Sequence, residues 1–334
     1  MSSGGDPVYH LRPHKAVDRN LFIETLLHLR QIESLVDYRY IGFGSYEFDD
    51  FKLIHRSLGV TDLHSIEKDV DVYKRQRFNR PYSFVKLFNT SCSEYFDLHF
   101  DGNKHAIVWA DFSEASNKYD QCLDIVNICS KLQSDDILRI TFNANPASIQ
   151  TGKSAAVLAT LDKEERNRLR FDSIKNALGD FFPKNSAKKK YDEKDVENKT
   201  YPSLLLEVIR IAVFKGLPNH LSAYPICSYV YRDGVQMLTV TILICSKNGR
   251  GQKLKEMKTA FRDWRKYVNI GSWKEPIMIN LPPLTVHEQL EIRQLAKSKN
   301  GFDRITKKTG IDKESVKSYL LFSNYYPNYQ PVTM

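Results

Sequence analysis

Tyr38-Arg39-Tyr40-Ile41-Gly42-Phe43-Gly44-Ser45 reads as a short strand running into a glycine-containing turn. Phe48, Phe51, Leu53, Ile54 and Leu58 follow at helical spacing and Gly59 closes them, so the turn opens into a helix. Strand, tight turn and helix form the first unit of a parallel α/β sheet, and the residues beyond repeat it. Strands are expected at residues 62–67, 83–88, 106–110 and 137–143, with a helix at 118–132. Upstream, Leu21, Leu26, Leu27, Leu29, Ile32 and Leu35 predict a helix over residues 20–35. Downstream, residues 224–231 and 235–245 flank Arg232-Asp233-Gly234 and read as an antiparallel hairpin. The expected fold class is α/β: a doubly wound, mostly parallel sheet ending in an antiparallel β-hairpin, plus a small helical C-terminal segment.

The chain divides by composition into a helical N-terminal segment (1–36), the α/β domain (37–280) and a helical C-terminal segment (281–334). An insertion lies at about residues 145–200. Residues 160–180 look helical and charged, and 184–199, with Lys188-Lys189-Lys190, read as an exposed mobile loop. Residues 201–216 predict an apolar helix, with Gly216 as its cap and Pro218 beyond. Leu281-Pro282-Pro283 reads as a linker. Helical patterns follow at 286–297, 302–309 and 313–322, and the last two have a helix–turn–helix rhythm, with Gly310 in the turn and Asp312 as cap. Residues 297–317 carry Lys297, Lys299, Arg304, Lys307, Lys308, Lys313 and Lys317 against Asp303, Asp312 and Glu314. Arg304, Lys307, Lys308, Lys313 and Lys317 are therefore candidates for contact with nucleic acid or a partner protein.

A composition of 42% hydrophobic and 27% charged residues over 334 residues supports a large core and excludes disorder of the whole chain. The net charge of +9 permits an anionic partner without demanding one. Five scattered cysteines without a CxxC fit a reducing cytosol. The N-terminus shows no apolar signal-peptide core, and the most apolar helical stretch is interrupted by Glu207, Arg210 and Lys215, so a cytoplasmic protein with no membrane span is expected. No metal site is expected: His10 and His14 stand four apart, but Pro13 lies between them. Asp49 and Asp50 read as solvated or helix-start charges, because adjacent residues on a helix point apart. Asp71-Val72-Tyr73-Lys74-Arg75-Gln76 also matches the translation of a sequencing-library transposon end and carries no argument.

Gly42 and Gly44 stand where a cofactor laid across a strand end needs close backbone approach. Glu67, 25 residues beyond Gly42, ends the next strand, where an acid can accept hydrogen bonds from both hydroxyls of a ribose. With the late Asp-Gly hairpin, this order of elements resembles that of the class I S-adenosylmethionine-dependent methyltransferases, which have a Rossmann-like sheet. More narrowly, residues 40–51, Ser65-Ile66-Glu67, Phe78-Asn79-Arg80-Pro81 and residues 107–112 are similar to the O-methyltransferases found in bacterial mobile or defence-associated gene clusters. The resemblance implies S-adenosylmethionine as cofactor, held by Gly42, Phe43, Gly44, Ser45, Glu67 and Lys68. It also implies Asp111 as the group facing the acceptor, positioning the nucleophile or acting as general base, with Asn143 nearby and a role in antiviral defence. Ser45 and Tyr46 depart from the glycine-rich loop, and Tyr46 is expected to narrow the pocket. No Asn-Pro-Pro-Tyr follows the fourth strand and no Pro-Cys pair occurs, which favours oxygen as the methylated atom by elimination; the acceptor itself is not legible. The alternative is a catalytically silent binding protein working through the basic C-terminal helices.

Overall fold

The computed structural model describes residues 13–187, 189–296, 298 and 300–327. One eight-stranded sheet runs through them, formed by β1 (Arg39–Gly42), β2 (Asp62–Ile66), β3 (Val85–Phe88), β4 (Ala106–Phe112), β5 (Ile137–Asn143), β6 (Leu221–Asp233), β7 (Val235–Ser246) and β8 (Ile277–Ile279). The spatial order is β3-β2-β1-β4-β5-β7-β6-β8. The first five strands are parallel, and β7 runs antiparallel to both β5 and β6. The expected Rossmann-like sheet and hairpin are therefore present, but the hairpin is not the last element. Short β8 pairs in parallel with β6 and covers that edge. Three apolar residues are too few to show a period, so the sequence does not announce β8.

The helices are α1 (Pro13–Leu29), α2 (Asp49–Leu58), α3 (Val70–Asn79), α4 (Cys92–Leu98), α5 (Lys118–Lys131), α6 (Ala155–Thr160), α7 (Lys163–Leu178), α8 (Tyr201–Gly216), α9 (Arg250–Ala260), α10 (Val286–Leu295), α11 (Gly301–Thr309) and α12 (Lys313–Phe322). None is long and apolar enough to cross a membrane among the described residues. Alternation along β4 sends Val108 and Ala110 to one face, where α5 and α8 pack, and Ile107 and Trp109 to the other, with α1, α2 and α9. Burial on both faces explains why the strands read as continuous apolar runs.

Several expectations are corrected. The first helix already runs at Pro13, the first described residue, rather than from Asn20, and ends at Leu29 rather than Leu35. Residues 92–98 form α4, begun by a capping box between Ser91 and Glu94, a signal present in the sequence as Ser91-Cys92-Ser93-Glu94. Residues 184–199 are not a wholly exposed loop: Asp192 and Asp195 cap a 3₁₀ turn at Glu193–Val196, and Val196 is buried. Lys188 lies outside the described residues.

Gly216 is not a left-handed cap; it is the last residue of α8 and lies against α5. A Cβ there would stand 2.8 Å from Cys129 Cβ, inside van der Waals contact. Gly216→Ala is expected to lower stability by about 1–3 kcal/mol through overpacking, read from urea unfolding. An unchanged midpoint would show that α5 and α8 separate freely.

At the C-terminus, α10, α11 and α12 pack around Ile292, Ile305, Val316 and Tyr319. Gly310 adopts φ 74°, and Asp312 Oδ1 accepts from the Ser315 backbone N–H at 2.9 Å, as the sequence suggests. This unit is fastened to the rest of the chain. Tyr267 donates to the Leu321 carbonyl at 2.6 Å, and Phe322 is buried in the main core.

Candidate active site

β1 and β4 are neighbours, but the chain leaves them to opposite faces, β1 toward α2 and β4 toward α5. That divergence opens a crevice at the carboxyl ends of the strands. The crevice is a cleft of about 380 Å³, a size suited to a small-molecule ligand. Phe43, Gly44 and Ser45 line it after β1, Glu67 and Lys68 after β2, and Asp111 at the end of β4. The structure thus brings together six of the eight residues expected at the cofactor and transfer site. Gly42 does not line the cleft.

The reason for the glycines also changes. A Cβ on Gly42 would lie 2.9 Å from Tyr40 Oη and 3.2 Å from Asp50 Oδ2. One on Gly44 would collide with Ser65 Oγ. Both glycines make room for the protein's own side chains. Tyr46 does not narrow the cleft; it is buried, with the Arg75 guanidinium 3.6 Å from its ring centroid.

The cleft also takes residues that sequence reasoning passed over. Lys15 and Arg19 arrive from α1, Asp50 from α2, Thr90-Ser91-Cys92 from the start of α4, and Asp120, Gln121 and Asp124 from α5. Asp49 and Asp50 do begin a helix but are not simply solvated. Asp49 accepts from Arg19 at 3.1 Å, and Asp50 accepts from Tyr40 Oη.

The lining holds six carboxylates (Asp50, Glu67, Asp111, Glu114, Asp120, Asp124) against three cations (Lys15, Arg19, Lys68). Burial raises the carboxyls of Asp50 and Glu67 above their ordinary range. Burial, and then Asp120 one turn away, pushes Asp124 up to about 6. Such a site favours a positively charged ligand. Glu67 accepts from the Asp69 backbone N–H at 2.8 Å, which fixes its carboxylate at the rim. Lys68 reaches 3.6 Å from Glu114 across the mouth. Asp111 Oδ2 lies 3.7 Å from Lys15 Nζ, while its Oδ1 is buried with no hydrogen-bond partner among the described residues. Trp109, 5% exposed, is both core and cleft wall, and its Nε1 donates to Thr141 at 3.0 Å.

The remaining candidates lie elsewhere. Asn143 lines a second, smaller cavity. Arg304, Lys307 and Lys308 are on α11, and Lys313 and Lys317 on α12, away from the cleft. Three of them already have acidic partners: Lys308 with Glu291 at 2.7 Å, Lys313 with Asp303, and Lys317 with Glu314 at 2.7 Å. Lys297, Lys299 and His10 lie outside the described residues. His14 Nε2 accepts from the Leu281 backbone N–H at 3.1 Å.

No curated protein matches the sequence. Among solved structures, one described as a putative O-methyltransferase from Klebsiella pneumoniae is similar at 13% identity and a TM-score of 0.37, over 72% of this chain and 91% of that one. Trm1 from Pyrococcus horikoshii, solved with S-adenosyl-L-methionine, is similar at 10% identity and 0.42, over 91% of this chain and 75% of that one. The plantazolicin methyltransferase BpumL, solved with SAH, gives 12% identity and 0.33, over 68% and 84%. Likenesses this distant do not bear on the chemistry of this chain. The sequence itself is more telling: the profile of a family described as "Putative O-methyltransferase" matches residues 7–334, nearly the entire chain, and the protein belongs to that family.

Proposed function

We propose that the protein transfers a methyl group from S-adenosylmethionine to an oxygen of a small acceptor. The observation that carries this reading is the acid-rich cleft at the β1/β4 divergence, with a buried, unpartnered Asp111 oxygen. S-adenosylmethionine, when bound, supplies a methyl group on a positively charged sulfur. The residues present fit that group, since six carboxylates surround a space of suitable volume. Phe43, Gly44 and Ser45 offer backbone at the end of β1, and Glu67 offers a carboxylate to the ribose hydroxyls. Asp111 receives the proton that the acceptor oxygen gives up as its new bond to carbon forms. Beyond this proton transfer, rate comes from in-line placement of the acceptor oxygen.

The test is calorimetric titration with S-adenosylhomocysteine. Wild-type protein is expected to bind it saturably. Glu67→Ala, which removes hydrogen bonds from hydroxyls to a carboxylate, is expected to weaken binding about 10–100-fold. Equal affinity in the variant removes the ribose role of Glu67. Absence of binding to the wild type overturns the proposed function.

A further inference from the structure

Beside the cleft lies the second cavity, about 60 Å³, walled by the segment between β4 and α5, by the end of β5 and the residues after it, and by α7 and α8. Asn117 lines both spaces, so they adjoin. Gln121 Nε2 donates to the carbonyls of Glu114 at 3.0 Å and Ser116 at 3.1 Å and pins the segment between them. In charge the two spaces are opposites: no carboxylate lines the smaller one.

Its lining carries amides, hydroxyls and one ammonium. Lys118 is 5% exposed, and its ammonium has no carboxylate within 4.0 Å among the described residues. Its neighbours are Gln121 Oε1 at 3.5 Å and the Phe142 ring, 4.8 Å to the centroid. Burial without an acid lowers its amine to about 8. Tyr201 is 1% exposed and lines the cavity. Asn143 Oδ1 accepts from the Asn145 backbone N–H at 3.0 Å, and Asn145 Oδ1 accepts from that of Ala147 at 3.1 Å. Those bonds fix both amides, because a backbone N–H requires the oxygen, and leave their NH₂ groups as donors. A buried ammonium, a phenol and two amide NH₂ groups, with no anion in the lining, form a site suited to an anionic ligand.

We propose that this cavity is the acceptor subsite and receives a carboxylate, so that the methylated substrate is a hydroxy acid anchored by its acid end. The inference rests on the methyl-transfer reading of the adjoining cleft. The cavity volume holds about four waters' worth of ligand, enough for a carboxylate group but not a whole acceptor. The remainder of the acceptor, including its hydroxyl, extends past Asn117 toward the cleft.

The experiment titrates the full chain, with and without saturating S-adenosylhomocysteine, against acetate and its uncharged isostere acetamide, followed by protein NMR. Acetate is expected to give saturable shifts in residues 115–118 and 143–145, and acetamide none. In Lys118→Met, which keeps the apolar stem, acetate binding is expected to fall at least tenfold with no loss of thermal stability. Tyr201→Phe removes only a hydroxyl and is expected to weaken acetate severalfold, which tests the site even if Lys118→Met does not fold. Equal response to acetamide, or undiminished acetate binding in a folded variant, overturns the subsite. Acetate binding without any binding of S-adenosylhomocysteine would reject the methyl-transfer reading alone. Binding of S-adenosylhomocysteine without an acetate response would reject the subsite alone.

Discussion

Asp18→Ala is expected to destabilise the protein by about 3–5 kcal/mol, because it strands a buried guanidinium. Asp18 and Arg139 are both fully buried, and their side chains meet at 2.6 Å. Thr239 donates to the same Asp18 oxygen at 2.8 Å, and Arg139 donates to Thr241 at 2.8 Å. The guanidinium lies between Phe22, 4.6 Å, and Trp109, 4.7 Å to the centroids. Even so, Asp18 Oδ2 and Arg139 Nε lack partners among the described residues, so the pair is not fully compensated there. The double variant Asp18→Leu with Arg139→Met should therefore recover most of the loss, since an apolar pair carries no desolvation cost. Urea unfolding of the two variants measures this. A loss below about 1 kcal/mol in Asp18→Ala would show that water reaches the arginine. The pair also matters for the cleft. It ties α1 to β5, and α1 delivers Lys15 and Arg19 to the cleft.

Which parts of this arrangement were legible follows from how locally each is encoded. β5 and α8 fall where the apolar runs place them, because both are buried on a broad face. The hairpin turns at Gly234, φ 70°, as an Asp-Gly pair predicts. Phe43, Gly44, Ser45, Glu67 and Asp111 could be nominated because parallel strands bring their carboxyl ends to one edge, so a strand's end in sequence is its end in the site. Lys15, Arg19, Asp120 and Asp124 could not, since only helix packing decides which side of α1 or α5 meets the cleft. Asp50 was misread by neighbourhood: it diverges from Asp49 as a helix requires, but toward Tyr40 rather than solvent. Gly216 shows the same limit. A glycine at a helix end suggests a cap, and only the crossing of α5 reveals that it makes room for a neighbour. The basic C-terminal face was legible as charge, but its pairing with Glu291, Asp303 and Glu314 was not.

Asp111→Asn should separate binding from chemistry. The change keeps the shape of the side chain and removes its capacity to take a proton. Asp111 sits at the end of β4, where Lys15 approaches Oδ2 and Oδ1 is buried without a partner among the described residues. A buried carboxylate oxygen without a donor is costly, so its natural partner is a hydroxyl brought by a ligand. General-base removal of this kind typically lowers rate about 10²–10⁴-fold. The measurement is transfer of radiolabelled methyl from S-adenosylmethionine to a panel of aliphatic and aromatic hydroxy acids, beside the affinity for S-adenosylhomocysteine. The expected result is a loss of transfer in that range with cofactor affinity nearly unchanged. If transfer persists undiminished, Asp111 takes no proton and positioning alone carries the reaction. If cofactor affinity falls in step with transfer, Asp111 belongs to the binding site for the positive sulfur instead. The two outcomes differ because Oδ2 already has a cation 3.7 Å away, whereas Oδ1 is the buried oxygen without a partner among the described residues.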